Sequence, residues 1–535
     1  MKSQRVFVRE ATGLVREMGL LENATLGASA LPLVTVAITA WYIWIVIPGG
    51  DPIFAVLLGG GFNICTCICY AMMSATFPRA GSPYVAQSRI LHPAIGWPSE
   101  VLMWIGTVTF YGLFSQFLLW WALSPGLYAI GVSSGNQALI SIAFTLINPS
   151  YNIIVTTLVL VFACLISIVG TRYLTKWFNF PTQALMFIAV IAIIAVLATS
   201  SPAKFVELTP KYLNNDYNTI ISAARESYSS RMIPVSFGAF AILASIGITA
   251  GMANTYWNSY AAGEVRRGGV VKNQVVAMAG MSVLTILILL VIYTLSYSVA
   301  GPEFLVAFTQ LGTFNAGFFN APFFTATMAL TFIPMMLANN PYLQLIIMIG
   351  MAGCVLTWIP YMTLVTTRSM FAWSFDRLIP AKFAEVSDRF HTPVFNILFN
   401  FGVGWICLVI FTYFSSYVLF FFAAAWATTM IGMTLTPLAA ALLPLRKQLW
   451  NNSPIKKYMI GPIPAVTIFG LLGAFQGALG FWIFSTAPEL GFGLTSLELL
   501  VALYVTPFLL YWIIRAYRRR QGIDLDLLFK EVPPE

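Results

Sequence analysis

Two runs of small and polar residues break into otherwise apolar stretches of this 535-residue sequence. The first is Gly27, Ala28, Ser29, Ala30, Leu31 and Pro32; the second is Gly247, then Ala250, Gly251, Met252, Ala253, Asn254 and Thr255. Glycine and proline both weaken a helix at such points. An interrupted helix leaves free N–H groups at the start of one half and free carbonyls at the end of the other. The first suit a carboxylate and the second an ammonium group, with no charged side chain required. Gly27, Ala28, Ser29, Ala30, Ala250, Gly251, Ala253 and Asn254 are therefore the candidate contacts of a small polar molecule. Close helix packing also uses small residues and is the competing reading for either run alone. Interruptions at matching places in two halves of a membrane protein point to a transport site instead.

Other constellations offer less. The sequence has only two histidines, His92 and His391, so histidine-based acid–base or metal chemistry has little to work with. Cys65, Cys67 and Cys69 lie in one apolar helix, where 65 and 69 share a face and 67 points away. They cannot converge on one metal, and packing is the expected role. Gly59, Gly60 and Gly61 lack the strand and Lys-Ser/Thr of a phosphate loop and read as packing. No cofactor or metal is implied. Of 19 acids none falls in the middle third of an apolar segment; Glu22, Glu100, Glu264 and Glu498 sit near ends. That lining favours a zwitterion with a neutral side chain over a cationic amino acid or polyamine, which would want a buried acid. Glu264 and Asp376 stand at segment ends close to Arg266, Arg267, Arg368 and Arg377. Glu264, Arg368 and Asp376 are candidates for an ion-paired gate; solvated interface charge is the competing reading.

The elements that position these residues are set by composition. Hydrophobic residues make up 59% of the chain and charged ones 9%, with mean hydropathy +0.82. A water-soluble domain carries about a quarter charged residues, so this chain is built for a bilayer. Twelve apolar segments fall near 20–47, 53–75, 101–123, 152–169, 178–197, 235–257, 275–299, 342–366, 394–412, 417–443, 463–484 and 497–514. Charges at Lys2, Arg5, Arg9, Glu10, Arg16 and Glu17 argue against a cleavable leader. With the N-terminus in the cytoplasm, all of the 28 Lys and Arg except Lys204, Lys211, Arg225 and Arg231 fall on the cytoplasmic side. The net charge of +9 then sets topology and implies no nucleic-acid partner. The apolar stretch 322–337 is short for a crossing and is expected to lie over the outer face.

Three motifs resemble the amino acid–polyamine–organocation transporter superfamily. Phe77-Pro78-Arg79-Ala80-Gly81-Ser82-Pro83-Tyr84 is similar to its P-x-x-G-G-x-Y element, and Ala262-Gly263-Glu264-Val265-Arg266 to its A-G-E-x-K. Residues 368–380, with Arg368, Ala372, Asp376 and Pro380, followed by Arg389, Thr392 and Pro393, resemble its R-x-x-x-A-x-x-x-D-G-x-x-P…R-x-x-T-P. The resemblance runs from about Gly27 to Pro393. It implies an all-α polytopic protein of the leucine-transporter type: twelve transmembrane helices, two inverted five-helix repeats with helices one and six broken, plus two more. The implied organisation is 1–19 N-terminal cytoplasmic segment, 20–199 first repeat, 200–234 extracellular loop, 235–445 second repeat, 446–516 last two helices, 517–535 cytoplasmic tail. It implies a plasma-membrane amino acid permease working by alternating access. The G-S-G element would fall on Gly27, Ala28 and Ser29, so its second glycine is absent, and Asn254 stands where glycine is usual. The lysine that some proton-coupled members carry midway along segment five is replaced by Leu185 or Met186. Thr357 and Thr363 are the candidates for the coupling-ion hydroxyls of sodium-coupled members, though six residues apart. Proton, sodium or exchange coupling stays open. An ion channel would want a ring of pore charges, and an enzyme its mid-span acids or histidines; neither is found.

Overall fold

A computed structural model describes residues 16, 18–29, 33–252, 254–321, 325–414, 418–492 and 494–530. Of the residues singled out above, Ala30, Leu31, Pro32 and Ala253, and the N-terminal charges up to Glu10 together with Glu17, lie outside the described residues. Apolar runs become helices where capping chemistry starts them. Asp51 accepts from the N–H groups of Ile53 (2.7 Å) and Phe54 (2.9 Å), and Pro52 takes the first helical position of Pro52–Thr76. Asn148 before Pro149–Val169 and Asn340 before Pro341–Phe375 repeat this arrangement.

Among the described residues, eleven helices are long and apolar enough to cross a membrane, and the only strands are the two-residue pair Met459–Ile460 and Ile463–Pro464. The protein is all-α and polytopic. Segment one is present as two shorter helices, Leu20–Ala28 and Leu33–Val46, on either side of residues 30–32. Segment three runs on as Pro93–Ser134 and segment eight as Pro341–Phe375, both longer than the apolar run that marked them.

The connecting segments sort into two sets by their bonds. Met18 N–H donates to Glu264 O (3.0 Å), Arg446 Nε to Ile90 O (2.8 Å), Arg518 Nε to Arg377 O (3.0 Å) and Thr392 Oγ1 to Ile168 O (2.8 Å). All of these lie in stretches rich in arginine and lysine, here called the basic face. At the other end Ser236 N–H donates to Gly49 O (2.9 Å), Asn214 Nδ2 to Phe319 O (3.1 Å) and Arg231 Nη2 to Glu489 Oε1 (2.9 Å). Met18 thus meets one end of segment six, while Gly49 meets the other, so segment one runs the full length of segment six.

The stretch near 322–337 contains the helix Thr325–Ala338, fourteen residues and too short to cross. Residues 330–337 are all buried, packed against Leu33–Val46 and Pro302–Phe314. The expectation of a helix lying over a face did not foresee that burial. At the basic face a second apolar cluster gathers Tyr84, Trp97 and Trp373 with Leu525 and Phe529 of the C-terminal segment.

Candidate functional site

The break in segment six is visible in its backbone. The α-helix Ala239–Ile248 tightens into a 3₁₀ turn at Thr249–Gly251, and a second 3₁₀ stretch, Asn254–Glu264, begins beyond residue 253. Freed backbone groups inside a membrane protein need partners from neighbouring side chains. Asn63 Nδ2 donates to Ala250 O (3.2 Å), and the Tyr361 hydroxyl donates to Asn254 O (2.9 Å). Asn63 Oδ1 in turn accepts from Ser282 Oγ (2.8 Å). Segment two comes this close because Gly59 lies against Thr249: a Cβ there would sit 1.7 Å from Thr249 Oγ1. The triple glycine therefore has a packing reason at 59, and Gly61 faces open space.

The break in segment one follows Ala28 and Ser29, both buried. Ser29 Oγ accepts from Asn179 Nδ2 (3.0 Å) and Gln183 Nε2 (3.2 Å) of segment five. Asn179 closes a π turn, Leu174–Asn179, and a second π turn at Val276–Gly280 faces segments one and six. There Met278 O accepts from Thr255 Oγ1 (2.8 Å), and Ala277 O is the nearest atom, at 3.0 Å, to a Cβ built on Gly27. The other wall beside Gly27 is Asn258, whose Nδ2 donates to Asn23 O (2.6 Å) and whose Oδ1 accepts from Tyr361 (2.9 Å). Tyr361 of segment eight thus ties Asn254 and Asn258 together, and Asn258 ties both to segment one.

Several buried polar atoms around the breaks have no partner among the described residues: Asn179 Oδ1, Gln183 Oε1 and Asn254 Nδ2. Two acceptors flank Ser29, and a donor stands at Asn254. Buried polar groups are normally satisfied by protein or water, and such atoms also occur away from the breaks, at Ser74, Ser99 and Ser296 among others. Gly251 lies edge-on to Trp426, which packs against Phe110 (5.0 Å) and Phe484 (6.1 Å). A cleft of about 630 Å³ opens elsewhere, at the basic face beside His92, Arg446, Lys447 and Asp526, and has no part in the breaks.

The amino acid permease family matches residues 29–504 of the chain. The chain belongs to the amino acid permease family. The match begins at Ser29, inside the first break, and continues past Pro393, through segment eleven and into segment twelve. A search of curated proteins finds no match to the permease.

The motif residues of the permease build its basic face. Arg368 Nε lies 2.6 Å from Glu264 Oε1, and Thr171 Oγ1 donates to Glu264 Oε2 (2.6 Å). Asp376 takes a different partner from those near it in sequence: Arg89 grips it with Nη1 at 2.5 Å and Nη2 at 2.7 Å, both side chains buried. Arg89 lies 4.8 Å from the Phe529 ring, under the C-terminal segment. Gly81 adopts φ +65° and donates its N–H to Tyr260 O (2.9 Å), joining the first motif to the basic-face end of segment six.

Of the sequence candidates, Gly27, Ala28, Ser29, Ala250, Gly251 and Asn254 come together around the two breaks. Thr357 and Thr363 do not join them by any bond among the described residues. Their hydroxyls donate to Cys354 O (3.0 Å) and Ile359 O (2.9 Å) of their own helix. Asn179, Gln183, Asn258, Tyr361 and Arg89 were missed, because a single polar residue in an apolar run carries no local signal of its partner.

Proposed function

We propose that the permease moves a neutral amino acid across the cell membrane by alternating access, with its two broken segments as the binding site. The observation that carries this reading is the set of unpartnered buried groups at the breaks. Asn179 Oδ1 and Gln183 Oε1 beside Ser29 offer acceptors to an ammonium group, and Asn254 Nδ2 offers a donor to a carboxylate. The start of the Asn254–Glu264 half-segment adds free N–H groups and partial positive charge, worth about 0.3–1 kcal/mol to an anion. No Asp, Glu, Lys or Arg side chain is bonded to these groups among the described residues, which favours a cargo without side-chain charge. The termini are cytoplasmic in this reading, supported by the basic residues gathered at one face. The Glu264–Arg368 and Asp376–Arg89 pairs then form the closed inner gate.

The test is thermal stabilisation of the detergent-purified protein by a panel of amino acids, followed by counterflow of the strongest stabiliser in proteoliposomes. Stabilisation by neutral amino acids with saturable counterflow is expected. A flat panel and no counterflow would sink the assignment; a preference for lysine, arginine or a polyamine would overturn the neutral cargo.

A further inference from the structure

We propose that Glu100 carries a proton in the transport cycle, coupling uptake to the proton gradient; this rests on the transport reading above. Three acids are buried behind the basic face: Glu264, Asp376 and Glu100. Arg368 answers the first and Arg89 the second. Glu100, fully buried, has no cation within ion-pair distance among the described residues. Its carboxyl accepts from Gln87 Nε2 (2.8 Å, to Oε1) and from the Tyr260 hydroxyl (3.0 Å, to Oε2). Gln87 also donates to Thr436 Oγ1 of segment ten (2.8 Å). The titratable groups facing the carboxyl are Tyr260 of segment six and Tyr70 of segment two, the latter 4.9 Å from Tyr256. Arg89 sits two residues from Gln87 on the short helix Ser82–Ile90, yet is turned to Asp376.

A carboxylate sealed from water with no counter-charge costs several kcal/mol, and the hydrogen bonds it accepts from Gln87 and Tyr260 offset only part of that, so burial favours the neutral acid. Ionisable groups placed this way inside membrane proteins serve as proton relays. Tyr260 makes the link to transport. It belongs to the same 3₁₀ stretch that begins at Asn254, so the half-segment that binds cargo also holds Glu100. When that half-segment swings to open the basic face, Glu100 loses Tyr260 and meets water. The proton leaves the carboxyl oxygen for water at the basic face, leaving a carboxylate, and a proton from the opposite side reloads it when the other face opens, so that one proton crosses the membrane with each amino acid. No other co-reactant takes part.

The experiment uses the full-length protein in proteoliposomes with the amino acid that most stabilises it. A gradient of one pH unit can drive at most about tenfold accumulation per proton. Wild type should accumulate toward that limit, while Glu100→Gln should fall to equal concentrations on both sides and still perform counterflow. Tyr260→Phe removes a hydrogen bond that the carboxylate accepts, so it should move the pH profile of uptake to more alkaline values. It also carries the test if Glu100→Gln fails to fold. Wild type that exchanges amino acids but ignores the pH gradient would overturn this proposal and leave the transport reading standing. So would gradient-driven accumulation by Glu100→Gln, or an unmoved pH profile in Tyr260→Phe. Absence of counterflow with every amino acid would instead sink the transport reading, and this proposal with it.

Discussion

Arg368 and Glu264, 104 residues apart in sequence, form an ion pair whose side chains are 2% and 4% exposed. Thr171 joins them, donating to Glu264 and accepting from Arg368 Nη2 at 3.3 Å. The pair therefore locks segments six and eight to the start of segment five. Removing one partner of a buried pair strands the other charge, at a cost on the order of 3–5 kcal/mol. Glu264→Gln is expected to lower the thermal unfolding midpoint markedly. Removing both charges, as Glu264→Gln with Arg368→Gln, should cost less than the two single losses added together. A double-mutant cycle by thermal unfolding in detergent measures the difference, and simple additivity would refute the coupling.

Tyr361 gives a cleaner probe of the proposed binding region. One hydroxyl faces two acceptors, Asn254 O and Asn258 Oδ1, each at 2.9 Å. Tyr361→Phe keeps the ring against Trp257 and deletes only the hydroxyl. Leaving buried acceptors unpaired costs about 1–3 kcal/mol. Because those acceptors belong to the half-segment proposed to bind cargo, the loss should appear in affinity. The concentration of amino acid giving half-maximal stabilisation should rise by about tenfold, read from a thermal-shift titration.

Much of this architecture was legible in the sequence, because a bilayer imposes long apolar runs with polar punctuation. Asp51-Pro52, Asn148-Pro149 and Asn340-Pro341 each mark a helix start within a residue or two. The breaks were legible for the same reason: Gly27 and Gly251 stand where a helix would otherwise continue. What could not be read was the partner of each polar group. Asp376 lies beside Arg377 in sequence and eight residues after Arg368, yet pairs with Arg89, 287 residues away. That choice is made by how the short helix Ser82–Ile90 lies across segment eight. The burial of residues 330–337 was hidden likewise, since apolar composition alone does not separate a membrane-surface helix from one enclosed by its neighbours.

Arg377 occupies the place of the glycine in the D-G motif and adopts φ +62°. A residue with a Cβ pays about 1–2 kcal/mol for left-handed backbone, and glycine does not. The bond that Arg518 makes here goes to the Arg377 carbonyl, so it survives loss of the side chain. Arg377→Gly should therefore raise the unfolding midpoint slightly or leave it unchanged. A clear fall in thermal denaturation would show that the guanidinium holds something the backbone does not.

The glycines around the second break make a graded series. A Cβ on Gly251 would lie 2.5 Å from the Trp426 ring, and Trp426 is wedged between Phe110 and Phe484 and cannot swing aside. A Cβ on Gly59 would lie 1.7 Å from Thr249 Oγ1 and 3.0 Å from Ser245 O, a backbone atom that cannot rotate away. A Cβ on Gly61, two residues along, would meet nothing within 4 Å. Overpacking costs about 1–3 kcal/mol. Gly59→Ala and Gly251→Ala should both lose most uptake, with Gly59→Ala the less stable protein. Gly61→Ala should transport like wild type, since it adds a methyl to open space on the same helix. Uptake and unfolding midpoints measured side by side separate the two effects. Equal behaviour of all three variants would mean that segment two does not pack on the break as described.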